Sequence, residues 1–267
     1  MLIFKIKIIL LVFIASNTVL LSQWDSKSIW CIVKVNYRFV SQPRLKPDKI
    51  DIMSRAIGTA FFISNSKFIT ANHCLNNNLL KPDEGFKYFK YILVSADGSI
   101  IQDYKIIVDK PEYDLTIGLL NDSNNSVYVW ELSSDYNIGD TVYNIGYPGK
   151  MTYAQSIFKI DIKDDIVVKD TIKLHISTNT GEIVNDSNIT INMDGLKLEN
   201  INVIVLNYFM TFGFSGCPVI LLNNNKVVGF ASFGNYAVIN DKFLIENDIY
   251  PGVGMVIRTK DFIQYLY

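Results

Sequence analysis

The chain has 267 residues and nearly balanced charge, 25 Lys and Arg against 26 Asp and Glu, for a formal net charge of −1. That length suits one large domain or two smaller ones sharing an interface, and either buries a sizeable core. No basic surface of the kind nucleic acid needs is implied, so nucleic acid is not an expected partner.

The chain opens with Lys5 and Lys7, an apolar run from Ile8 to Ala15, and small residues at Ala15, Ser16 and Ser22. This layout predicts a secretory signal peptide over residues 1–22. The competing reading is an uncleaved anchor, but Asn17 and Thr18 break the run well short of the roughly 18 to 20 apolar residues that a spanning helix needs. No stable membrane span is therefore expected after cleavage, and the mature chain is expected to be secreted or periplasmic. A lipid-modified terminus would need a cysteine at the cleavage point, and the first, Cys31, lies too far downstream. Three cysteines are an odd number for an exported chain, so at least one thiol is left over and disulfides do not build this fold.

Beyond the leader, short apolar and β-branched runs alternate with turn signals: IWCIVKV, IGTAFFI, KFIT, YILVS, YKIIV and DLTIGLL. Each reads as a strand. A polar stretch over residues 121–140 follows as a candidate linker. A second set then runs through TVYNIGYP, DIVVK, TIKLHIS, NVIVLNYF, PVILLNN, KVVGFASFG and GVGMVIRT. The spacing predicts a mostly β chain, sandwich or barrel, in two six-strand halves. Only the ending TKDFIQYLY reads as a helix, with Phe262, Leu266 and Tyr265 toward one face. Residues 179–202 read as a polar insertion, an extra hairpin or a long loop.

Histidine is scarce, with two in the chain. His73, in FITANHCL, follows a strand run, where a side chain projects into a cleft; His175 alternates with apolar neighbours and reads as an ordinary strand residue. Ser215 lies in GFSGCPV, where flanking glycines permit a tight turn and a close substrate approach. There the amides of Gly213 and Ser215 can converge on one point, as an oxyanion requires. Asp114 opens the apolar strand DLTIGLL. His73, Asp114 and Ser215 thus occur in one of the known chain orders for a catalytic triad.

These segments resemble the chymotrypsin-like (trypsin-fold) serine peptidases. Thr70 to Cys74 is similar to that family's T-A-x-H-C box, and Gly58, Thr59 and Phe61 to Ile63 to its G-x-x-F-I strand. Asp114 to Ile117 is similar to its D-I/L-A-L segment, and Gly213 to Val219 to its G-x-S-G-x-P-V box. Ser232, Phe233 and Gly234 resemble the S-W-G strand, which in the family pairs with substrate backbone. The resemblance covers roughly residues 28–267. It implies an all-β fold of two six-stranded antiparallel barrels with a short C-terminal helix: 28–125 carrying His73 and Asp114, and 140–267 carrying Ser215. It also implies a serine endopeptidase acting on polypeptides without a cofactor, with His73 as base, Asp114 orienting it, Ser215 as nucleophile, and Gly213 and Ser215 as the oxyanion hole.

Several residues depart from the family pattern. Phe214 replaces the aspartate that receives a freed N-terminus in the digestive branch, so that charge-pair switch is absent. Gly58 stands where many relatives place the disulfide partner of Cys74, which makes Cys74 a buried thiol. Phe209, six residues before Ser215, stands where the trypsin branch carries an acid, so it is assigned to substrate binding without a preference for Lys or Arg.

Other classes fit less well. A trypsin-fold binding protein without catalysis is the main alternative, against which the retained His, Asp and Ser weigh. A non-peptidase acyl hydrolase would need an α/β chain with parallel strands. A metal site from His73, Cys74, His175 and Cys217 lacks ligand spacing, so no metal is expected. Cys217 is two residues beyond the nucleophile position.

Overall fold

A computed structural model of the protein describes residues 29–40, 49–75, 81–96, 98, 101–121, 127–148, 157–163, 166–174, 176–193, 196–208, 210, 213–234, 238–239, 242–243 and 254–266. The leader, Phe209 and His175 lie outside the described residues. Among those described, no helix is long and apolar enough to cross a membrane.

The first half is one antiparallel sheet built from β1 (Ile29–Val40), β2 (Lys49–Phe62), β3 (Lys67–Ala71), β4 (Tyr88–Ser95), β5 (Ile101–Gln102), β6 (Tyr104–Lys110) and β7 (Leu115–Leu120). Its spatial order is β5-β4-β1-β2-β3-β7-β6. Central β1 is buried on both faces from Ile29 to Asn36, which explains its near-continuous apolar sequence. Edge strand β6 instead alternates between half-buried and exposed residues, the period of a strand covered on one side. Six strands carry this half, as expected, and the two-residue β5 adds a seventh, because Ile101 and Gln102 pair with Val94 and Leu93.

The second half contains β8 (Thr141–Gly146), β9 (Ile157–Lys163), β10 (Ile166–Lys173), β11 (Ser177–Met193), β12 (Leu196–Leu206), β13 (Pro218–Leu221), β14 (Val227–Gly234), β15 (Val238–Ile239), β16 (Lys242–Phe243) and β17 (Gly254–Arg258). Six of these close a barrel in the order β11-β12-β17-β14-β13-β8; β9 with β10, and β15 with β16, form separate two-stranded sheets. The fold is therefore all-β, in two antiparallel halves.

The polar segment 179–202 differs from the insertion expected. It is a hairpin, but its strands belong to the barrel: Ser177 to Glu182 pair with β8, and Val203 to Leu206 pair with β17. Its polar residues mask an alternating apolar face on which Ile183, Ile189, Ile201 and Val203 are buried.

The linker is tied to both halves. The Trp130 N–H donates to Phe62 O (2.8 Å), the Ser133 N–H to Val227 O (2.8 Å), and the Trp130 side chain is buried. The chain ends in α1 (Thr259–Phe262) and a 3-10 turn over Ile263–Tyr265. Phe262 is fully buried against Phe230, their ring centroids 5.4 Å apart, so the aromatic residue predicted for the inner face holds the ending to β14.

Candidate active site

The register of β3 against β7 brings His73 and Asp114 together. Ala71 pairs with Leu115 and Thr70 with Thr116, so the residues just past one strand and just before the other become neighbours. Asn72–Cys74 then forms a 3-10 turn, and Asp114 adopts a left-handed backbone, φ 49° and ψ 35°. This conformation is uncommon outside glycine, though asparagine and aspartate tolerate it best. Local hydrogen bonds hold it: the Asp114 N–H donates to Pro111 O (3.0 Å), and Asp114 O accepts from the Asn72 N–H (2.8 Å). The Asn72 side-chain amide donates to the Asp109 carboxylate and to Thr116 Oγ1, fastening the turn to β6 and β7.

Asp114 is fully buried, so its carboxylate needs donors. Oδ1 accepts the His73 backbone N–H at 2.9 Å, and the ring Nδ1 of His73 lies 3.0 Å from Oδ1 and 2.9 Å from Oδ2. Ser232 Oγ, from the second half, donates to Oδ2. A carboxylate only accepts, so Nδ1 carries the hydrogen and Nε2 is left as the acceptor end of the neutral ring. Burial alone would lower the imidazole pKa, but the Asp114 charge beside it outweighs that and holds it well above the usual histidine value.

The serine turn is built around two glycines with positive φ, Gly213 at 94° and Gly216 at 84°. Gly216 has a second requirement: a Cβ there would come within 2.3 Å of both Thr59 O and Thr70 Oγ1. The Gly216 N–H donates to Ala231 O (2.7 Å), the Cys217 N–H to Phe214 O (2.8 Å), and the Thr59 N–H to Ser215 O (2.8 Å). Cys74, the residue after His73, places its Sγ 3.8 Å from Ser215 O, so the histidine turn and the serine turn adjoin. Phe214 is 2% exposed and belongs to the apolar core of the barrel with Val142, Met210 and Cys217.

Among curated proteins none matches the chain in sequence. The family model of the trypsin-like peptidase domain matches residues 58–230, well over half of the 267. The chain belongs to the trypsin-like peptidase family. Solved structures with a similar fold include the HtrA-type protease AlgW with a decapeptide, at 16% identity and a TM-score of 0.56, covering 91% of this chain and 64% of that one. A variant of AlgW with the decapeptide has a TM-score of 0.53 at 16% identity, covering 89% of this chain and 62% of that one. The chain thus spans less than two thirds of either protein. At that identity the likeness is one of fold.

The cysteines Cys31, Cys74 and Cys217 are buried free thiols. Burial pushes the Cys31 and Cys217 thiols up, away from the thiolate form that nucleophiles and metal ligands use. Among the described residues, no three His, Cys, Asp or Glu side chains gather to hold a metal ion. Two features were not foreseen from sequence. Ser232, assigned to substrate contact, has its hydroxyl turned inward to Asp114. Thr59, noted only as part of a strand box, touches the serine turn twice. The signal available for both was the same, a hydroxyl residue inside an apolar strand.

Proposed function

We propose that this trypsin-like peptidase is a serine endopeptidase that cuts polypeptides through an acyl-enzyme on Ser215. The observation that carries the reading is the placement of His73 Nδ1 against both oxygens of buried Asp114. It leaves Nε2 to take the proton of the Ser215 hydroxyl as Oγ attacks the scissile carbonyl. The buried carboxylate stabilises the imidazolium formed, and the amides of Gly213 and Ser215 receive the oxyanion. The imidazolium then protonates the leaving amine. In the second half-reaction His73 takes a proton from water, whose oxygen attacks the acyl carbon, and the imidazolium returns that proton to Ser215 Oγ as the ester bond breaks.

Residues 28–125 supply the base and its orienting acid, and residues 140–267 the nucleophile. The edge of β14 supports an extended substrate. Its pairing with β13 runs only to Phe230, whereas Phe233 and Gly234 pair with β17. A peptide strand added along Ser232 to Gly234 would take backbone hydrogen bonds there. Phe209 is proposed to contribute to substrate binding without a preference for Lys or Arg, and the leader expected over residues 1–22 supports an extracytoplasmic location.

The test is labelling with a serine-directed fluorophosphonate followed by mapping of the adduct. An adduct on Ser215 that is lost in His73→Ala supports the reading. A folded protein that never labels refutes it in favour of a binding protein that has kept the fold.

A further inference from the structure

The Thr59 hydroxyl sits between two backbone groups of the second half. It donates to Gly213 O at 2.9 Å and accepts the N–H of Tyr147 at 3.1 Å. The same residue's N–H donates to Ser215 O at 2.8 Å, and its carbonyl accepts Thr70 Oγ1 at 2.8 Å. Thr59 and its three partners in the serine turn and in β8's exit, Gly213, Ser215 and Tyr147, come from opposite halves of the molecule. Thr59 itself is fully buried, and Gly213 and Tyr147 are buried too. None of these backbone groups can exchange its partner for bulk water without opening the contact between the halves.

From these contacts we infer that Thr59 is a positioning residue for the oxyanion turn, a conclusion that rests on the serine peptidase reading above. In a trans peptide the N–H points opposite to the C=O, so a fixed carbonyl fixes the direction of the amide in its plane. Three successive carbonyls of the turn are held: Gly213 O by Thr59 Oγ1, Phe214 O by the Cys217 N–H, and Ser215 O by the Thr59 N–H. The Phe214 carbonyl shares its plane with the Ser215 N–H, one of the two proposed oxyanion donors, and the two carbonyls held by Thr59 belong to the peptide planes on either side of it. The Gly213 carbonyl sets the plane leaving a residue with a φ of 94°, a conformation that glycine can readily leave. The hydroxyl of Thr59 removes that freedom from across the interface, where Phe214 offers only packing and no charge.

The experiment compares wild type with Thr59→Val, which keeps shape and backbone N–H, and Thr59→Ser, which keeps the hydroxyl. Three quantities are read: kcat and KM on a peptide amide, affinity for a peptide trifluoromethyl ketone, and affinity for the substrate peptide in a Ser215→Ala background. Thr59→Val should lose about 10- to 100-fold in kcat, less than deleting an oxyanion donor outright costs. Its KM should stay within about twofold, and its affinity for the ketone, whose adduct carries an oxyanion, should fall in parallel. Thr59→Ser should recover most of the kcat, and peptide affinity in the Ser215→Ala background should be unmoved. If Thr59→Val does not fold, Thr59→Cys takes its place, with a smaller loss expected from its weak donor. A folded Val or Cys variant with wild-type kcat and ketone affinity overturns the inference alone, as does a loss confined to KM. A wild-type protein that neither labels nor cleaves refutes the peptidase reading, and this inference with it.

Discussion

Asp114 Oδ1 is shared by two nitrogens of His73, the backbone N–H at 2.9 Å and the ring Nδ1 at 3.0 Å, so one carboxylate fixes both the turn and the imidazole on it. The pH dependence follows. The imidazole pKa is raised above the ordinary value of about 6.5, so the ring stays protonated at pH values where a free histidine is already neutral. A base must be neutral, so kcat/KM should climb through a limb lying above 6.5. Stability should run the other way: the extra stability is fully present below about 6.5 and is lost as pH rises through the raised value. A rate limb at or below 6.5 in wild type would contradict this.

Replacing Asp114 with Asn removes the charge that raises His73 and leaves the preferred tautomer unsupported. Activity should drop by roughly 10⁴-fold, as in the template triad. The remaining limb should move toward acid. A variant with an unmoved limb would show that something other than Asp114 sets the titration.

Ser215→Ala and His73→Ala should each abolish most turnover while the far-UV circular dichroism spectrum stays that of a β protein. Because nucleophile and base act as a unit, the double variant should be little worse than either single one. Losses that multiply in the double variant would mean that the two residues act independently.

A cysteine at position 58 would face Cys74, with its Cβ also 3.1 Å from Ser215 O. A Cβ built on Gly58 stands 3.2 Å from Cys74 Cβ and 2.5 Å from its Sγ. Gly58→Cys should therefore oxidise to a disulfide after a small relaxation toward the usual Cβ separation of roughly 3.5 to 4.5 Å. Closing a loop of this size should stabilise the chain by up to about 3 kcal/mol. Thiol titration before and after reduction, with melting curves of both forms, would measure it. Both thiols remaining titratable after oxidation would rule the bridge out.

Maturation should need no new N-terminus. Phe214 lies in the barrel core with Val142 and Met210 and offers no charge to a buried ammonium, which would be costly to place there. Expressing residues 24–267 behind two different N-terminal extensions should give equal turnover of a peptide library. Activity that appears only after an internal cut exposing one defined terminus would refute this.

Most strands were legible because their apolar runs were bounded by Asn, Asp and Gly, and the three residues proposed for the site stood out through chain order and flanking glycines. The segment 179–202 reads as an insertion because a barrel hairpin covered on one face alternates polar and apolar residues, and the polar half dominates when the sequence is read as composition. Ile183, Ile189, Ile201 and Val203 were the period-two signal that places it in the barrel. Thr59 and the inward turn of Ser232 carried only a weak signal, a hydroxyl in an apolar strand, for a different reason. Each is defined by a partner more than a hundred residues away in sequence, Gly213 for Thr59 and Asp114 for Ser232. No local pattern records such a pairing.

The bond from Ser232 to Asp114 crosses from the last-made part of the chain to the first. His73 and Asp114 are made before β14, so the Asp114 carboxylate gains this donor only once the second half has been made. Hydrolytic competence on the proposed mechanism therefore requires the second half to close and dock against the first.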